Sequence, residues 1–330
     1  MRILYTAPFD HYYLELIRRD CGEVFAGTPE KEKLLDSLEM IHIINDIKPD
    51  GVIVEVNKLD STVLDRVDGL KVISVCRSGT NNVDLESATE KNIQVTNTPS
   101  RNAVAVAEWT IALMVNIARN FHRGVEIIKN HNWVDMVKTC YDLEGYELAN
   151  RTVGIIGVGS VGKQVAKRLA CWDMNIFGYD PFVSQESIGT LGIKMTSQDH
   201  LLQESDFVIL LSAVTPETKG MINRERISLM KPSAFFINTA RASLVEEESL
   251  LDALIDGAIA GAALDVHHEE PLPVDSPWLK LENVILTPHL GGASKDTIIR
   301  HSRMVYEDWL RLADNKKPLN LVNPEVWTKK

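Results

Sequence analysis

The sequence predicts an α/β protein built from two doubly wound, parallel-sheet domains. Short β-rich runs alternate with amphipathic segments over the first hundred residues. A second alternation of the same kind begins at Thr152, and it starts with a glycine-rich turn. Such alternation is typical of parallel sheets covered by helices, and 330 residues are enough for two domains of ordinary size.

The first half predicts four strands separated by helices. The strand candidates are Arg2–Thr6, Gly51–Val56, Lys71–Cys76 and Ile93–Thr96. The helical candidates are His11–Arg19, Glu30–Ile47, Ser61–Asp68 and Leu85–Lys91. Helical segments therefore lie between all successive strand candidates and can cover the faces of the sheet.

A long helix is expected at Ala103–Lys129, with Asn102 as its cap. Apolar residues recur in it at helical spacing, and small or apolar residues occupy more than one face. We expect this helix to be buried, either between domains or subunits, as in a homodimer, or within one subunit.

The second half predicts six strands, at Thr152–Ile156, Asn175–Tyr179, Phe207–Leu211, Ala234–Asn238, Ala260–Asp265 and Asn283–Thr287. An amphipathic helix at Ala293–Leu312 must cover its apolar face, so we expect it to pack on the N-terminal domain. The predicted domains are then a discontinuous one, 1–100 plus 292–330, and an inserted one, 101–291, which includes the long interdomain helix 103–129.

Composition excludes several classes of protein. The net charge of −11 comes from acidic residues spread along the chain, which disfavours nucleic acid or an anionic membrane as a partner. The cysteines stand far apart without a CxxC pair, so neither a metal site nor a disulfide framework is expected. The apolar run Met1–Tyr5 is too short for a signal peptide, and no run reaches about 18 residues. A cytoplasmic protein is expected.

The glycine-rich turn predicts a dinucleotide-binding site. Gly157 permits the tight turn, Gly159 lets the backbone approach a pyrophosphate, and Gly162 lets helix and strand pack closely. Ser160 and Val161 begin the helix, whose first N–H groups are expected to face the phosphates. A glycine pattern alone can also be only a tight turn.

A carboxylate ends the next strand. Asp180 follows Gly162 by 18 positions, where a carboxylate accepts hydrogen bonds from the adenosine ribose and repels a 2′-phosphate. Pro181 and Phe182 supply no arginine for that phosphate. NAD is therefore expected rather than NADP, although Asp180 is also compatible with a turn before Pro181.

Three later strand ends carry polar residues. Arg241 suits a carboxylate with a neighbouring carbonyl. Asp265 could lie beside a nicotinamide, and Glu270 could orient an imidazole. The imidazole of His289 can donate a proton to a ketone oxygen that receives hydride. Each segment alone has an ordinary structural explanation, but together they indicate a hydride-transfer site.

These motifs, in this order, resemble the D-isomer-specific 2-hydroxyacid dehydrogenase family from about Val52 to the C-terminus. The resemblance implies a Rossmann NAD-binding domain inserted in a flavodoxin-like substrate domain. It implies Arg241 as the substrate binder, Glu270 as the partner of the histidine and His289 as the general acid/base. The implied cofactor contacts are Gly157, Gly159, Ser160, Val161, Gly162, Asp180, Ser212, Thr239, Ala240, Arg241, Asp265, His289 and Gly292.

The loop after the fourth strand departs from the family pattern. Relatives that oxidise 3-phosphoglycerate usually carry a longer Arg-Ala-Gly-Val-Gly-type loop, whereas Cys76–Asp84 is shorter and lacks the second glycine. The expected substrate contacts are Arg77, Ser78 and Gly79, with the backbone N–H groups of the last two holding a carboxylate. A C-terminal regulatory domain, found in longer phosphoglycerate relatives, is not expected.

The expected function is hydride transfer between NAD(H) and C2 of a small D-2-hydroxy or 2-keto acid, with 3-phosphoglycerate and sugar-derived acids among the candidates. Two alternatives remain. One is a non-catalytic NAD(H) sensor similar to a corepressor, and retention of the three reactive residues counts against it. The other is a formate- or phosphite-type dehydrogenase on the same fold.

Overall fold

A computed structural model describes residues 1–27 and 34–327. Its strands are β1 (Arg2–Tyr5), β2 (Glu23–Ala26), β3 (Gly51–Val54), β4 (Val72–Val75), β5 (Gln94–Thr96), β6 (Thr152–Ile156), β7 (Asn175–Tyr179), β8 (Ile193–Met195), β9 (Phe207–Leu210), β10 (Phe235–Asn238), β11 (Gly261–Leu264) and β12 (Val284–Leu286).

The α-helices are α1 (His11–Asp20), α2 (Ser37–Ile47), α3 (Ser61–Leu64), α4 (Leu85–Glu90), α5 (Ala103–Ala118), α6 (Phe121–Lys129), α7 (Met136–Asp142), α8 (Ser160–Leu169), α9 (Gln185–Ile188), α10 (Gln198–Glu204), α11 (Arg224–Ser228), α12 (Glu247–Ile255) and α13 (Lys295–Ala313). The chain forms two compact units, Met1–Arg101 with Ser294–Lys330, and Asn102–Ala293.

The first unit is organised around a parallel sheet. Its strands lie in the order β2-β1-β3-β4-β5, and every described pairing is parallel. This 2-1-3-4-5 order is that of flavodoxin-like folds. All four residues of β3 and of β4 are buried, as expected for central strands covered on both faces.

Helix α13 contributes to the core of this first unit. It packs against α1, and its Trp309 is fully buried. The Trp309 indole Nε1 donates to the Ser74 hydroxyl at 3.0 Å. A Cβ at Gly51 would lie 2.5 Å from the Trp309 ring, so the first position of β3 must be glycine to accommodate this side chain.

Among its differences from the sequence-based prediction, the first unit has an additional edge strand and a helix with a different start. The edge strand β2 was not predicted, because its four residues carry no fully buried side chain and hence no apolar pattern. Helix α2 begins at Ser37 behind a capping box formed by Asp36 and Glu39. The expected helix started at Glu30, and its residues 30–33 lie outside the described part of the chain.

The second unit contains a seven-stranded parallel sheet in the order β12-β11-β10-β9-β6-β7-β8. Counted from β6, this is the 3-2-1-4-5-6 order of the Rossmann fold with a seventh strand beyond the sixth. Six strands were predicted. The additional one, β8, is a three-residue edge strand with a single buried residue, Ile193, which is too short for a periodic signal.

The helix predicted at 103–129 is two helices, α5 and α6. Asn120 between them adopts a left-handed conformation with φ of +50°, which ends the first helix. Asn102 occupies the cap position of α5 but makes no side-chain capping hydrogen bond. Helix α5 is buried against α8 and β10 of its own unit. Contacts within one subunit therefore cover the apolar surface of α5.

No helix in the described ranges 1–27 and 34–327 is both long and apolar enough to cross a membrane.

Candidate active site

The sheet of the second unit aligns the ends of its strands in one row. Backbone pairing places Tyr179, Ile156, Leu210, Asn238, Leu264 and Leu286 side by side as successive partners. The next residues along these strands are Asp180, Gly157, Leu211, Thr239, Asp265 and Thr287. The six segments that carry the predicted site residues thus leave the sheet at the same carboxyl edge, where α/β sheets bind ligands.

The glycine turn joins β6 to α8. Gly157 has φ of +99°, and a Cβ there would lie 2.6 Å from backbone atoms of Leu211 and Ser212. A Cβ at Gly162 would lie 2.3 Å from the Gly157 carbonyl oxygen. Gly159, by contrast, has no heavy atom within 4 Å of such a Cβ. A side chain at Gly157 or Gly162 would therefore clash with the backbone. Gly159 instead leaves open space beside the start of α8, where Ser160 and Val161 lie.

The side chain of Asp180, at the end of β7, is hydrogen-bonded to the backbone of this turn. Its Oδ2 accepts the Val158 N–H at 2.9 Å, and its Oδ1 accepts the Phe182 N–H at 3.0 Å. The side chain is half-buried, and each carboxylate oxygen has a second lone pair. Asp180 therefore sets the local backbone and can still accept a hydroxyl of a ligand.

The segment after β10 is shaped by Asn238. Its side-chain Oδ1 accepts the Ala240 N–H and its Nδ2 donates to the Arg241 carbonyl, both at 3.0 Å. The buried Thr239 hydroxyl is 2.7 Å from that of Thr110 in α5. This local bonding, which asparagine favours in turns, leaves the Arg241 side chain exposed, with Nη1 donating to the Ala240 carbonyl at 2.6 Å.

His289 and Glu270 form a direct pair. Nδ1 of His289 lies 2.9 Å from Oε2 and 3.1 Å from Oε1 of Glu270. A carboxylate can only accept, so Nδ1 carries a proton and Nε2 is the atom presented for proton exchange. Burial alone would raise the pKa of the Glu270 carboxyl, but the hydrogen bond from His289 and the His267 N–H outweigh it and lower that pKa. Glu270 therefore stays ionised at neutral pH.

Asp265 organises the loop that carries His289. The side chain is buried and accepts four hydrogen bonds. Oδ1 accepts from Trp109 Nε1 at 3.0 Å, from the Thr287 hydroxyl at 2.6 Å and from the Leu290 N–H at 2.9 Å, and Oδ2 accepts from the Gly291 N–H at 2.7 Å. A buried carboxylate is stable when it is bonded in this way. The structure thus gives Asp265 a structural role beside the predicted cofactor contact.

His289 itself has an unusual backbone conformation. Its φ is +55°, in the left-handed region that costs a residue with a side chain about 1–2 kcal/mol. Its N–H donates to the Thr287 carbonyl at 3.0 Å, while the two following N–H groups are held by Asp265. Such a conformation persists where surrounding bonds determine it, and it is frequent at functional sites. Gly292, which follows, packs against the side-chain amide of Asn102.

The predicted substrate residues Arg77, Ser78 and Gly79 follow β4 in the first unit. The Ser78 hydroxyl accepts the Ser100 N–H at 3.1 Å, and the Ser78 carbonyl accepts Nδ2 of Asn97 at 2.6 Å. Among the described residues, the backbone N–H groups of Ser78 and Gly79 have no acceptor. The loop therefore offers two free donors, as a small anion nest does.

Two residues of the site were missed by sequence analysis. His267 donates its N–H to Glu270 Oε1 at 3.1 Å, and its Nε2 lies 2.9 Å from the Thr287 carbonyl oxygen. Trp109, which bonds Asp265, comes from the buried helix α5. Its only sequence signal is a lone indole in a helix of small and aliphatic residues, and such a residue is usually core.

Comparison with known proteins places this site in a family. The family model described as the NAD binding domain of D-isomer specific 2-hydroxyacid dehydrogenase matches residues 111–291, more than half of the chain. A protein of Methanocaldococcus jannaschii named D-3-phosphoglycerate dehydrogenase is 35% identical over 98% of this chain and 59% of its own length. A Thermofilum pendens glyoxylate reductase is 38% identical over 82% of this chain and 80% of its own length.

The chain spans about three fifths of the length of the Methanocaldococcus protein and of its Archaeoglobus fulgidus namesake. A crystal structure of a Thermus thermophilus protein has a TM-score of 0.86 and 34% identity, covering 98% of this chain and 100% of the other. This likeness extends over both units. The chain belongs to the D-isomer specific 2-hydroxyacid dehydrogenase family.

Proposed function

We propose that this protein is an NAD-dependent dehydrogenase that interconverts a small D-2-hydroxy acid and its 2-keto acid. The observation that carries the proposal is the His289–Glu270 pair at the carboxyl edge of the Rossmann sheet. A proton-exchanging imidazole with an ionised partner is the group that a ketone oxygen needs when hydride arrives at the adjacent carbon. Arg241, at the end of a neighbouring strand, is exposed and suited to a carboxylate.

The residues of the second unit fit a nicotinamide dinucleotide. Open space at Gly159 and the start of α8 suit a pyrophosphate, which would meet the N–H groups of a helix N-terminus. Asp180 retains acceptor capacity for ribose hydroxyls, and its negative charge opposes a 2′-phosphate, which supports NAD over NADP. Ser212, Thr239 and Ala240 lie at the same edge and are the further contacts we assign.

The chain's own groups then perform the rest of the chemistry. When bound, the nicotinamide supplies or accepts the hydride. Arg241 holds the substrate carboxylate. In the reductive direction Nε2 of His289 donates its proton to the oxygen that becomes the hydroxyl, and in the oxidative direction it removes that proton. Glu270 stabilises the charged imidazole and holds the ring by Nδ1.

We further propose that the protein is a homodimer. Helices α6 and α7 have no buried residues, and exposed apolar side chains cluster on and between them. These define the α6–α7 surface: Phe121, Ile128, Trp133, Val134, Met136, Val137 and Tyr141. An apolar surface of this density is typical of an interaction site, and most oligomers of soluble proteins are symmetric dimers.

The first experiment follows NADH absorbance with a panel of 2-keto acids, namely glyoxylate, pyruvate, hydroxypyruvate and 3-phosphohydroxypyruvate. NADPH is run in parallel, and the His289→Gln variant is the control. We expect rapid turnover of one member with NADH preferred, and loss of at least about a hundredfold in the variant. If no member of the panel is turned over while NADH still binds, the result would instead favour a non-catalytic NAD(H) sensor or a dehydrogenase that acts on a different donor.

A further inference from the structure

Thr287 bonds to three partners around His289. Its hydroxyl donates to Asp265 Oδ1 at 2.6 Å. Its carbonyl oxygen accepts the His289 N–H at 3.0 Å and faces His267 Nε2 at 2.9 Å. A carbonyl only accepts, so the His267 ring carries its proton on Nε2. The hydroxyl and the carbonyl of Thr287 are thus engaged with residues of the site, while its N–H donates to the Leu264 carbonyl at 3.0 Å.

Two of these partners, Asp265 and His267, also bind the segments that carry the His289–Glu270 pair. Asp265 also holds the N–H groups of the two residues after His289, and His267 also donates its backbone N–H to Glu270. Thr287 is therefore one of the residues that join the loop carrying the imidazole to the segment carrying the carboxylate. The left-handed backbone of His289 is confined between these bonds.

We propose that Thr287 is a positioning residue, whose hydroxyl and carbonyl together hold the His289 imidazole at the angle from which Nε2 exchanges a proton with the substrate oxygen. This proposal rests on the dehydrogenase function proposed above. Among the described residues Thr287 makes no hydrogen bond to the His289 imidazole, so its effect is exerted through the conformation of the loop. Valine has the same shape without the hydroxyl and serine keeps the hydroxyl, so the two substitutions isolate the bond to Asp265.

The test compares Thr287→Val and Thr287→Ser with Thr196→Val, a threonine of the same unit whose side chain makes no hydrogen bond among the described residues. We expect Thr287→Val to lower kcat on the order of ten- to a hundredfold, because a small misplacement of a catalytic group has that cost. The Kd for NADH should stay within about threefold, since Asp265 keeps three of its four donors.

Two further readouts separate positioning from loss of folding. Proton transfer should become rate-limiting in Thr287→Val, so the solvent deuterium isotope effect on kcat should rise. Thr287→Ser should restore kcat to within about threefold of wild type. A Thr287→Val enzyme as active as Thr196→Val, or one not rescued by serine, would overturn the proposal.

A crystal structure of Thr287→Val keeps the result independent of turnover. We expect the distance from His289 Nδ1 to Glu270 Oε2 to lengthen beyond hydrogen-bond range and the φ of His289 to leave the left-handed region. An unchanged loop would contradict the positioning role even if the wild type reduced no acid in the panel. A displaced loop in a protein without activity would support the positioning geometry and refute only the proposed function.

Discussion

Nδ1 of His289 lies 2.9 Å from Oε2 of Glu270, although 19 positions separate the two residues. They follow neighbouring parallel strands, β12 and β11, whose ends are in register at Leu286 and Leu264. The sheet pairing therefore brings together an acid and a base from two loops. The pair has direct consequences for how the protein responds to substitution.

Replacing the carboxylate should impair catalysis more than binding. In Glu270→Gln an amide of the same shape can still accept from the His289 ring but carries no charge. We expect kcat to fall on the order of ten- to a hundredfold, because the imidazolium that forms in the oxidative direction loses its ionised partner. Steady-state kinetics and the Kd for NADH measure the two effects. Glu269→Gln, an exposed neighbour, is the control and should resemble wild type.

The charge of Asp180 should set cofactor preference. Asp180→Asn keeps the shape but removes the negative charge that opposes a 2′-phosphate. We expect the ratio of kcat/KM for NADPH to that for NADH to rise by about tenfold or more. The matched control is Glu186→Gln, an exposed carboxylate nearby in the chain. An unchanged ratio in Asp180→Asn would mean that another residue excludes NADPH.

Substitutions at two glycines of the turn should separate an effect on folding from an effect on NADH binding. At Gly157 a methyl group would meet backbone atoms 2.6 Å away at a φ of +99°. We therefore expect Gly157→Ala to lower the midpoint of thermal unfolding clearly, and to abolish NADH binding. At Gly159 the same methyl group enters open space. Gly159→Ala should unfold like wild type while its Kd for NADH rises, because the methyl occupies the region of the pyrophosphate. Equal destabilisation of both variants would contradict this division.

A buried histidine in the first unit should make stability depend on pH. His301 is fully buried, its Nδ1 lies 2.6 Å from Arg101 Nη1, and its Nε2 donates to the Pro8 carbonyl at 2.8 Å. Burial, together with the Arg101 charge, lowers the pKa of His301 to about 4, although the Pro8 bond and Glu55 oppose the shift. Between about pH 6.5 and 4 the unfolded chain then binds a proton that the folded protein excludes.

The sign follows from that difference in proton binding. Stability from His301 is complete above pH 6.5 and is lost as the pH falls towards 4, by roughly 3 kcal/mol in total. His301→Gln keeps a donor and an acceptor but does not titrate. The difference in unfolding free energy between wild type and this variant, from denaturant curves at pH 7 and pH 4.5, should therefore shrink at the lower pH. If the difference in unfolding free energy were the same at both pH values, the lowered pKa of His301 would be ruled out.

Charge on the α6–α7 surface should disrupt the dimer. The side chains of Val134 and Tyr141 are 91% and 75% exposed. We expect the double change Val134→Asp and Tyr141→Asp to convert a dimer into a monomer in light scattering, because a charge is costly to bury in an interface. Asp substitutions at the exposed Phe182 and Val274 form the control. A wild type that is already monomeric would refute the dimer.

Secondary structure was predictable where burial imposes a pattern. The central strands, such as β6 and β9, were found because their continuous apolar runs reflect burial on both faces. Edge strands β2 and β8 carry no such pattern and were missed. The division between α5 and α6 was missed because the left-handed Asn120 leaves the apolar periodicity on either side of it intact.

The sequence by itself determined the fold class, the glycine turn, and which residue types end the strands, because these depend on local sterics and on hydrophobic periodicity. The hydrogen bonds of Asp265, His267 and Thr287 were decided only by the tertiary structure. The hydrogen bonds of these residues join loops that follow different strands. The lengths of these bonds depend on sheet register and on the left-handed backbone of His289. No pattern along one segment encodes a distance between two segments, so the hydrogen bonds around the His289 imidazole become visible only in the folded chain.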